Sequence, residues 1–252
     1  NLTVRDAAGD GLWVRGDSTL LQGVRVENAG GIGLRADGGA SMRRGGSVRV
    51  VGAGSYGARL GVENLYAIAP TAADQDSLLG NAKDTLIIEG GTLRGQMDGA
   101  GTFVTLAEIT ARADLPWKVD QSFTIDSAGV LTVQPGARLA FAENRSASFT
   151  SGRLSADGTA DSTIVFTSQT PPNYWYGLSF RGDPQDTSVV RHALFEWSKG
   201  SNSTFSSYAE YVLTAGDQHP LVVDSTRLHR ILNQAVELAS RGSRLTGSTV
   251  DT

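Results

Sequence analysis

Leu21-Gln22-Gly23-Val24-Arg25-Val26 reveals the architecture of this chain when set beside the residues downstream. Seven residues after Val26 stands Gly33, then Leu34. Ser47-Val48-Arg49-Val50 repeats the heart of this string, and seven residues after Val50 stands Gly57. Upstream, Leu2-Thr3-Val4 is followed at the same interval by Gly11, then by Leu12-Trp13-Val14. The three glycines are therefore 22 and 24 residues apart. The pattern returns late in the chain. Val223-Asp224-Ser225-Thr226-Arg227-Leu228 fits the template, and Leu228 to Val250 is again 22 residues.

Each unit holds two or three alternating apolar segments of three to five residues, too short for helices and patterned as strands. Gly, Asn, Asp and Ser separate them, as in Glu27-Asn28-Ala29-Gly30-Gly31. Such a unit is one turn of a β-solenoid: one coil cannot bury its apolar face, and a stack buries a continuous column. The expected fold is all-β, a right-handed parallel β-helix built from a single-stranded coil of about 22–24 residues per turn. Alternation points Val24 and Val26 inward, with Arg25, Arg49 and Arg227 outward. Residues 1–252 read as one parallel β-helix domain with excursions near 67–84 and 199–220. Phe103 to Ala113 fits either strands or a short helix.

The chain has 252 residues, 31 of them glycine and none cysteine. A 40% apolar fraction suffices for a core. The absence of cysteine excludes a disulfide framework, thiol catalysis and Cys-ligated metal. With 22 basic and 26 acidic residues the net charge is −4, which disfavours nucleic acid as a partner. Lysine occurs only at Lys83, Lys118 and Lys199; every other basic residue is arginine. No run of about 18 apolar residues is present, so no membrane span is expected. No signal peptide opens the chain. It starts in strand-like alternation without an initiator Met and stops partway through a unit, so we expect a segment of a longer protein.

From Leu115 a second set of strings appears. They are Leu131-Thr132-Val133-Gln134-Pro135-Gly136-Ala137-Arg138-Leu139-Ala140-Phe141, Gly152-Arg153-Leu154-Ser155-Ala156-Asp157-Gly158-Thr159-Ala160, Ile164-Val165-Phe166-Thr167-Ser168 and Trp175-Tyr176-Gly177-Leu178-Ser179-Phe180. Their order resembles that of bacterial secreted or cell-surface right-handed parallel β-helix proteins, whose coils read W-x-G-[IL]-x-F. The resemblance is close over residues 115–198 and loose on either side. It implies the fold and an extracellular or cell-surface location inside a larger chain. It says little about activity, because one fold hosts many functions. The residues account for themselves as well: Pro135-Gly136 makes a corner, and Gly158 and Gly177 suit positive φ or close backbone approach.

No polygalacturonase-like N-T-D, D-D, G-H-G or R-I-K string occurs, nor a Walker loop, dinucleotide fingerprint or G-x-S-x-G elbow. Lys199 has no Arg beside it in sequence, as a Lys/Arg lyase would need. His192, His219 and His229 form no metal motif, although a coil repeat would bring His192 near Asp224. Asp183-Pro184-Gln185-Asp186 and Asp157 with Asp161 are candidate calcium loops that read better as solvated turns, so no cofactor is expected. The candidate ligand-binding residues are Tyr174, Trp175, Tyr176 and Trp197, aromatic faces suited to sugars, with Arg25 and Arg49 as a cationic column for an acidic glycan. The competing reading has Trp175 and Trp197 capping the core. No catalytic residue is assigned. The expected function is a non-catalytic, rigid scaffold or adhesion surface with weak glycan binding. Its partners would be flanking domains of the same chain and a cell-surface glycan or another surface protein. The alternatives are a polysaccharide lyase, hydrolase or epimerase, and a self-associating structural module.

Overall fold

The computed structural model describes residues 1–251 except 17, 38–39, 41, 45–46, 70, 98–102, 106, 184–186, 201–210 and 217. The chain is mostly parallel β-sheet with few helices, an all-β, solenoid-like stack. One ten-stranded parallel sheet runs its length, from Leu12–Val14 through Leu34–Ala36, Tyr56–Leu60 and Lys83–Glu89 to Thr249–Asp251. Consecutive members of this sheet are separated in sequence by strands of the other faces, except Tyr56–Leu60 and Lys83–Glu89, which are separated by helices. The chain therefore returns to the sheet once per coil.

The repeat read from the glycines sets the register. Val24 pairs with Val48 and Val26 with Val50, while Arg25 lies beside Arg49 on the outside. Leu228 pairs with Val250. Val26, Val50, Leu34 and Leu228 are buried. The stacked glycines are needed for close approach: a Cβ on Gly33 would overlap the Val50 side chain and lie 2.9 Å from the Gly57 carbonyl. Gly177 has φ +101, and a Cβ there would run into the Val212 backbone.

The single period of 22–24 residues holds only in part. Side chains that meet across adjacent coils are 22 residues apart at either end, as in Arg5–Glu27 and Thr246–Asp224. Thr132–Glu108 and Ser146–Ser122 keep 24, but between residues 148 and 196 such side chains are 29, 31 and 34 apart, as in Thr167–Glu196, Ser148–Ser179 and Arg191–Asp157. Extra residues are taken up in the corners between strands, where they leave the ladder hydrogen bonds intact.

The other two faces are interrupted. The first coils form a three-stranded sheet (Leu2–Arg5, Val24–Glu27, Val48–Val51) and a pair (Thr19–Leu21, Met42–Arg44). Beyond residue 90 two six-stranded sheets take over. Between them the chain forms helix α1 (Val62–Ile68), helix α2 (Ala72–Gln75) and a 3-10 turn (Asp76–Leu78). Helix α1 packs against the strand Met42–Arg44 on one side and Thr92–Leu93 on the other, where the stack would otherwise place a strand. The excursion expected at 67–84 thus begins earlier and is a structural insert. Phe103–Thr105 and Ala107–Ala111 are strands.

Asn64 makes the helix compatible with the sheet. It is 1% exposed, and its side chain accepts the Met42 N–H at 2.8 Å and donates to the Ala40 carbonyl at 2.9 Å. Those are the donor and acceptor that a neighbouring strand would have supplied.

The core after residue 115 is aromatic. Phe141 stacks on Trp175 at 4.2 Å, Phe166 on Phe195 at 4.7 Å and Phe149 on Phe180 at 4.8 Å. Offset stacking suits rings that repeat at the inter-strand spacing of about 4.8 Å.

Candidate functional site

The aromatic cluster expected near residue 175 divides in two. Trp175 is fully buried, stacked on Phe141, with Nε1 donating to the Glu196 carbonyl at 2.9 Å. It cannot face a ligand, and its place among the binding residues is corrected to a core position. The residues on either side of it point out. Tyr174, Tyr176 and Trp197 are half-buried and meet at one corner of the coil. Strand alternation accounts for Tyr174 and Tyr176, because neighbours of an inward residue face outward, and a positive φ of 54 at Trp197 turns that ring out where alternation from Phe195 would turn it in.

Stacking then assembles the corner. Tyr174 meets Trp197 edge to face at 5.9 Å. The Arg230 guanidinium lies 4.6 Å from the centre of the Trp197 ring. The Lys199 ammonium lies 5.4 Å from that of Tyr176. Arg145 adjoins Tyr176, whose backbone N–H donates to the Arg145 carbonyl at 2.8 Å. The cationic partners Arg145 and Arg230 escaped sequence reasoning, which considered Lys199 only as a lyase residue. They sit in different coils, and unequal corner lengths hide which residues stack. Lys199, set aside for want of an adjacent Arg in sequence, has cations in neighbouring coils. A register drawn from Trp175 to Ser198 and Ser198 to Ile231 would have found them.

Arg25 and Arg49 are exposed and adjacent, as expected, but on the N-terminal three-stranded sheet. The structure does not bring them to the aromatic corner. Arg25 and Arg5 both bind Glu27, whose carboxyl is held below its usual value first by Arg5 and then by Arg25. A cationic column for an acidic glycan is therefore partly neutralised there.

A second polar group lies outward on the long sheet. Arg59 pairs with Glu89 and lies 3.7 Å from Asp120. Lys118 lies 3.7 Å from Asp120, and Gln169 donates to it at 3.0 Å. These groups largely satisfy one another. Burial pushes the Glu63 carboxyl up, the direction a general acid requires, but its oxygens lie against the backbone of Gly61 and Gly91.

The histidines occupy three settings. The His192 backbone N–H donates to the Asp224 carbonyl at 3.1 Å, the neighbourhood expected from the repeat. His229 lies 3.5 Å from Asp251. His219 is fully buried beside Ser188, with Nε2 2.8 Å from Oγ and Nδ1 3.1 Å from the Arg181 carbonyl. A carbonyl only accepts, so Nδ1 carries the proton and Nε2 accepts from Ser188. Ser188 Oγ in turn accepts the Leu154 N–H at 3.1 Å. Both residues are 0% exposed, so no substrate reaches this pair. It is a structural bridge between coils.

Burial holds His219 below its ordinary 6.5, outweighing the opposite pulls of the Arg181 carbonyl and Asp183. The unfolded chain thus takes up this proton first. His219 supports the fold fully above about pH 6.5, and that support declines as pH falls from there toward the lower folded value. Lowering the pH from about 7.5 to about 5.5 is expected to lower the urea midpoint. His219→Phe should remove this dependence and cost about 1–3 kcal/mol at neutral pH, since it leaves the Arg181 carbonyl unpaired. An unchanged acid slope in the variant would refute the assignment.

Of the candidate calcium loops, Asp157 is engaged by Arg191 at 3.2 Å. Pro184-Gln185-Asp186 and half of the 199–220 excursion lie outside the described residues, and its later part holds the strand Tyr211–Ala215. No group of three His, Asp or Glu placed to hold a metal occurs among the described residues. Among those residues, no helix is long and apolar enough to cross a membrane. No protein-family model, curated protein or solved structure matches the chain.

Proposed function

We propose that this chain is a right-handed parallel β-helix segment of a larger secreted or cell-surface bacterial protein, acting as a rigid scaffold whose aromatic corner binds glycan. The handedness follows from the general rule for parallel crossover connections. The observation that carries the binding reading is the convergence of Tyr174, Tyr176 and Trp197 at one half-exposed corner. The rings are half-exposed, and the Arg230 and Lys199 cations that lie over Trp197 and Tyr176 supply polar contacts beside them. Trp175 beneath them is locked in the core, so the corner is preorganised and little ordering cost attends binding.

The outward group of Arg59, Glu89, Lys118 and Asp120 favours a second reading, a polysaccharide-active enzyme. One experiment separates the two. The protein is screened on a glycan array and incubated with acidic polysaccharides. Binding without cleavage is expected, and Trp197→Ala should weaken it about tenfold with no change in unfolding midpoint. Cleavage lost in Asp120→Asn would establish the enzymatic reading instead. No binding and no cleavage would leave only the scaffold.

A further inference from the structure

We infer that the aromatic corner takes an anionic polysaccharide laid along the coil axis, one sugar unit to a coil. This rests on the glycan-binding reading above and adds ligand charge and direction.

Two files of side chains cross the coils. One runs Tyr174, Trp197, Arg230, joined by the ring contact at 5.9 Å and the guanidinium stack at 4.6 Å. The other runs Arg145, Tyr176, Lys199 and ends on Leu232, which is 58% exposed. Backbone pairing sets this order. Ser146 lies beside Gly177, Trp175 beside Ser198, and Ser198 beside Ile231. The residues next to these therefore stack in the same sequence. The Tyr176 N–H donates to the Arg145 carbonyl at 2.8 Å and the Leu232 N–H to the Ser198 carbonyl at 2.9 Å. Coils repeat at about 4.8 Å, close to the rise per sugar of an extended polysaccharide. A ligand parallel to the axis meets a ring or a cation at each step. A ligand across the axis would leave the corner after one step.

Charge points to the same ligand. Arg5, Arg94, Arg112 and Arg227 each pair with a carboxylate. Among the described residues, Arg145, Lys199 and Arg230 do not, and neither do Arg49, Arg138, Arg181, Arg241 and Arg244; what sets the three apart is that they lie against the aromatic corner. Arg145 is half-buried, and its Nε, itself out of reach of solvent, has no hydrogen-bond partner. Arg145 and Lys199 lie in one file with Tyr176 between them and Arg230 in the other, so an anion laid along the corner meets all three. Carboxylate and sulfate share the required chemistry: both accept from guanidinium and ammonium groups.

The test is isothermal titration with size-defined oligomers. The probes are oligogalacturonates, a sulfated dextran series and neutral cello-oligomers of equal length. Oligogalacturonate or sulfated dextran should bind, weakening with added salt, and affinity should rise with length to about four units and then level off. Arg145→Gln and Lys199→Gln should each weaken binding about tenfold. Stronger binding by oligogalacturonate assigns a uronate, and by dextran sulfate a sulfate ester. Equal binding of neutral oligomers would overturn the charge assignment while leaving the glycan reading standing. A monosaccharide as tight as the tetramer would overturn the axial direction. Failure of every sugar to bind would overturn both this inference and the reading on which it rests.

Discussion

Trp175→Ala is expected to lower the unfolding free energy by about 3–5 kcal/mol, the range for losing a large buried aromatic side chain. The indole is fully buried and stacks on Phe141 at 4.2 Å and, less closely, on Phe195 at 6.2 Å. Its removal takes a ring from the middle of an aromatic column. The neighbours are themselves ladder residues in neighbouring coils and cannot collapse into the space without breaking register. Nε1 also donates to the Glu196 carbonyl, which would lose its partner. Tyr174, Tyr176 and Trp197 are set by the same local backbone, so glycan binding should fall with stability. Urea denaturation followed by circular dichroism gives the midpoint. Trp175→Phe should recover part of the loss, since it restores a ring but not the hydrogen bond. A variant within about 1 kcal/mol of wild type would refute the core role.

Asn64→Ala should cost about 2–4 kcal/mol, through a different mechanism. Helix α1 interrupts a face of the stack, and the strand beside it has ladder groups to satisfy. Asn64 satisfies two of them, the Met42 N–H and the Ala40 carbonyl. Alanine leaves both buried without partners. Asn64→Leu separates packing from hydrogen bonding, because leucine refills the volume and bonds to neither group. The same denaturation series should find leucine nearly as damaging as alanine. A leucine variant as stable as wild type would show that volume, not the amide, matters at this position.

The two variants mark where the sequence is legible. Val24-Arg25-Val26 and Ser47-Val48-Arg49-Val50 align by eye, and they pair in that register. The alternation there is local, and burial of one side of a strand leaves only one register available. Gly158 and Gly177 read correctly for a similar reason. Gly177 has positive φ, and a Cβ on Gly158 would lie 2.6 Å from the His192 carbonyl.

Other features depend on contacts across unequal coils. Nothing in Val62-Glu63-Asn64-Leu65 says that a helix will stand in a strand's place. That outcome requires the Met42 strand on one side and the Thr92 strand on the other. Trp175 and Trp197 are both tryptophans near tyrosines; Trp175 follows the pleat inward, whereas a positive φ of 54 at Trp197 breaks the alternation from Phe195 and leaves it at the surface. Arg145, Lys199 and Arg230 have no common motif, and corner insertions of varying length erase the period that would align them.

Short stretches of chain were enough to specify the repeated strands, the inward and outward sides of the clear coils and the glycine columns. Each is a consequence of period-two alternation or of space for a Cβ, which are properties of a few adjacent residues. The three faces, the helical insert and the cationic aromatic corner took shape only in the folded stack. Each depends on which residue lies one coil away, and that is settled by backbone pairing after the corners have taken up their extra length.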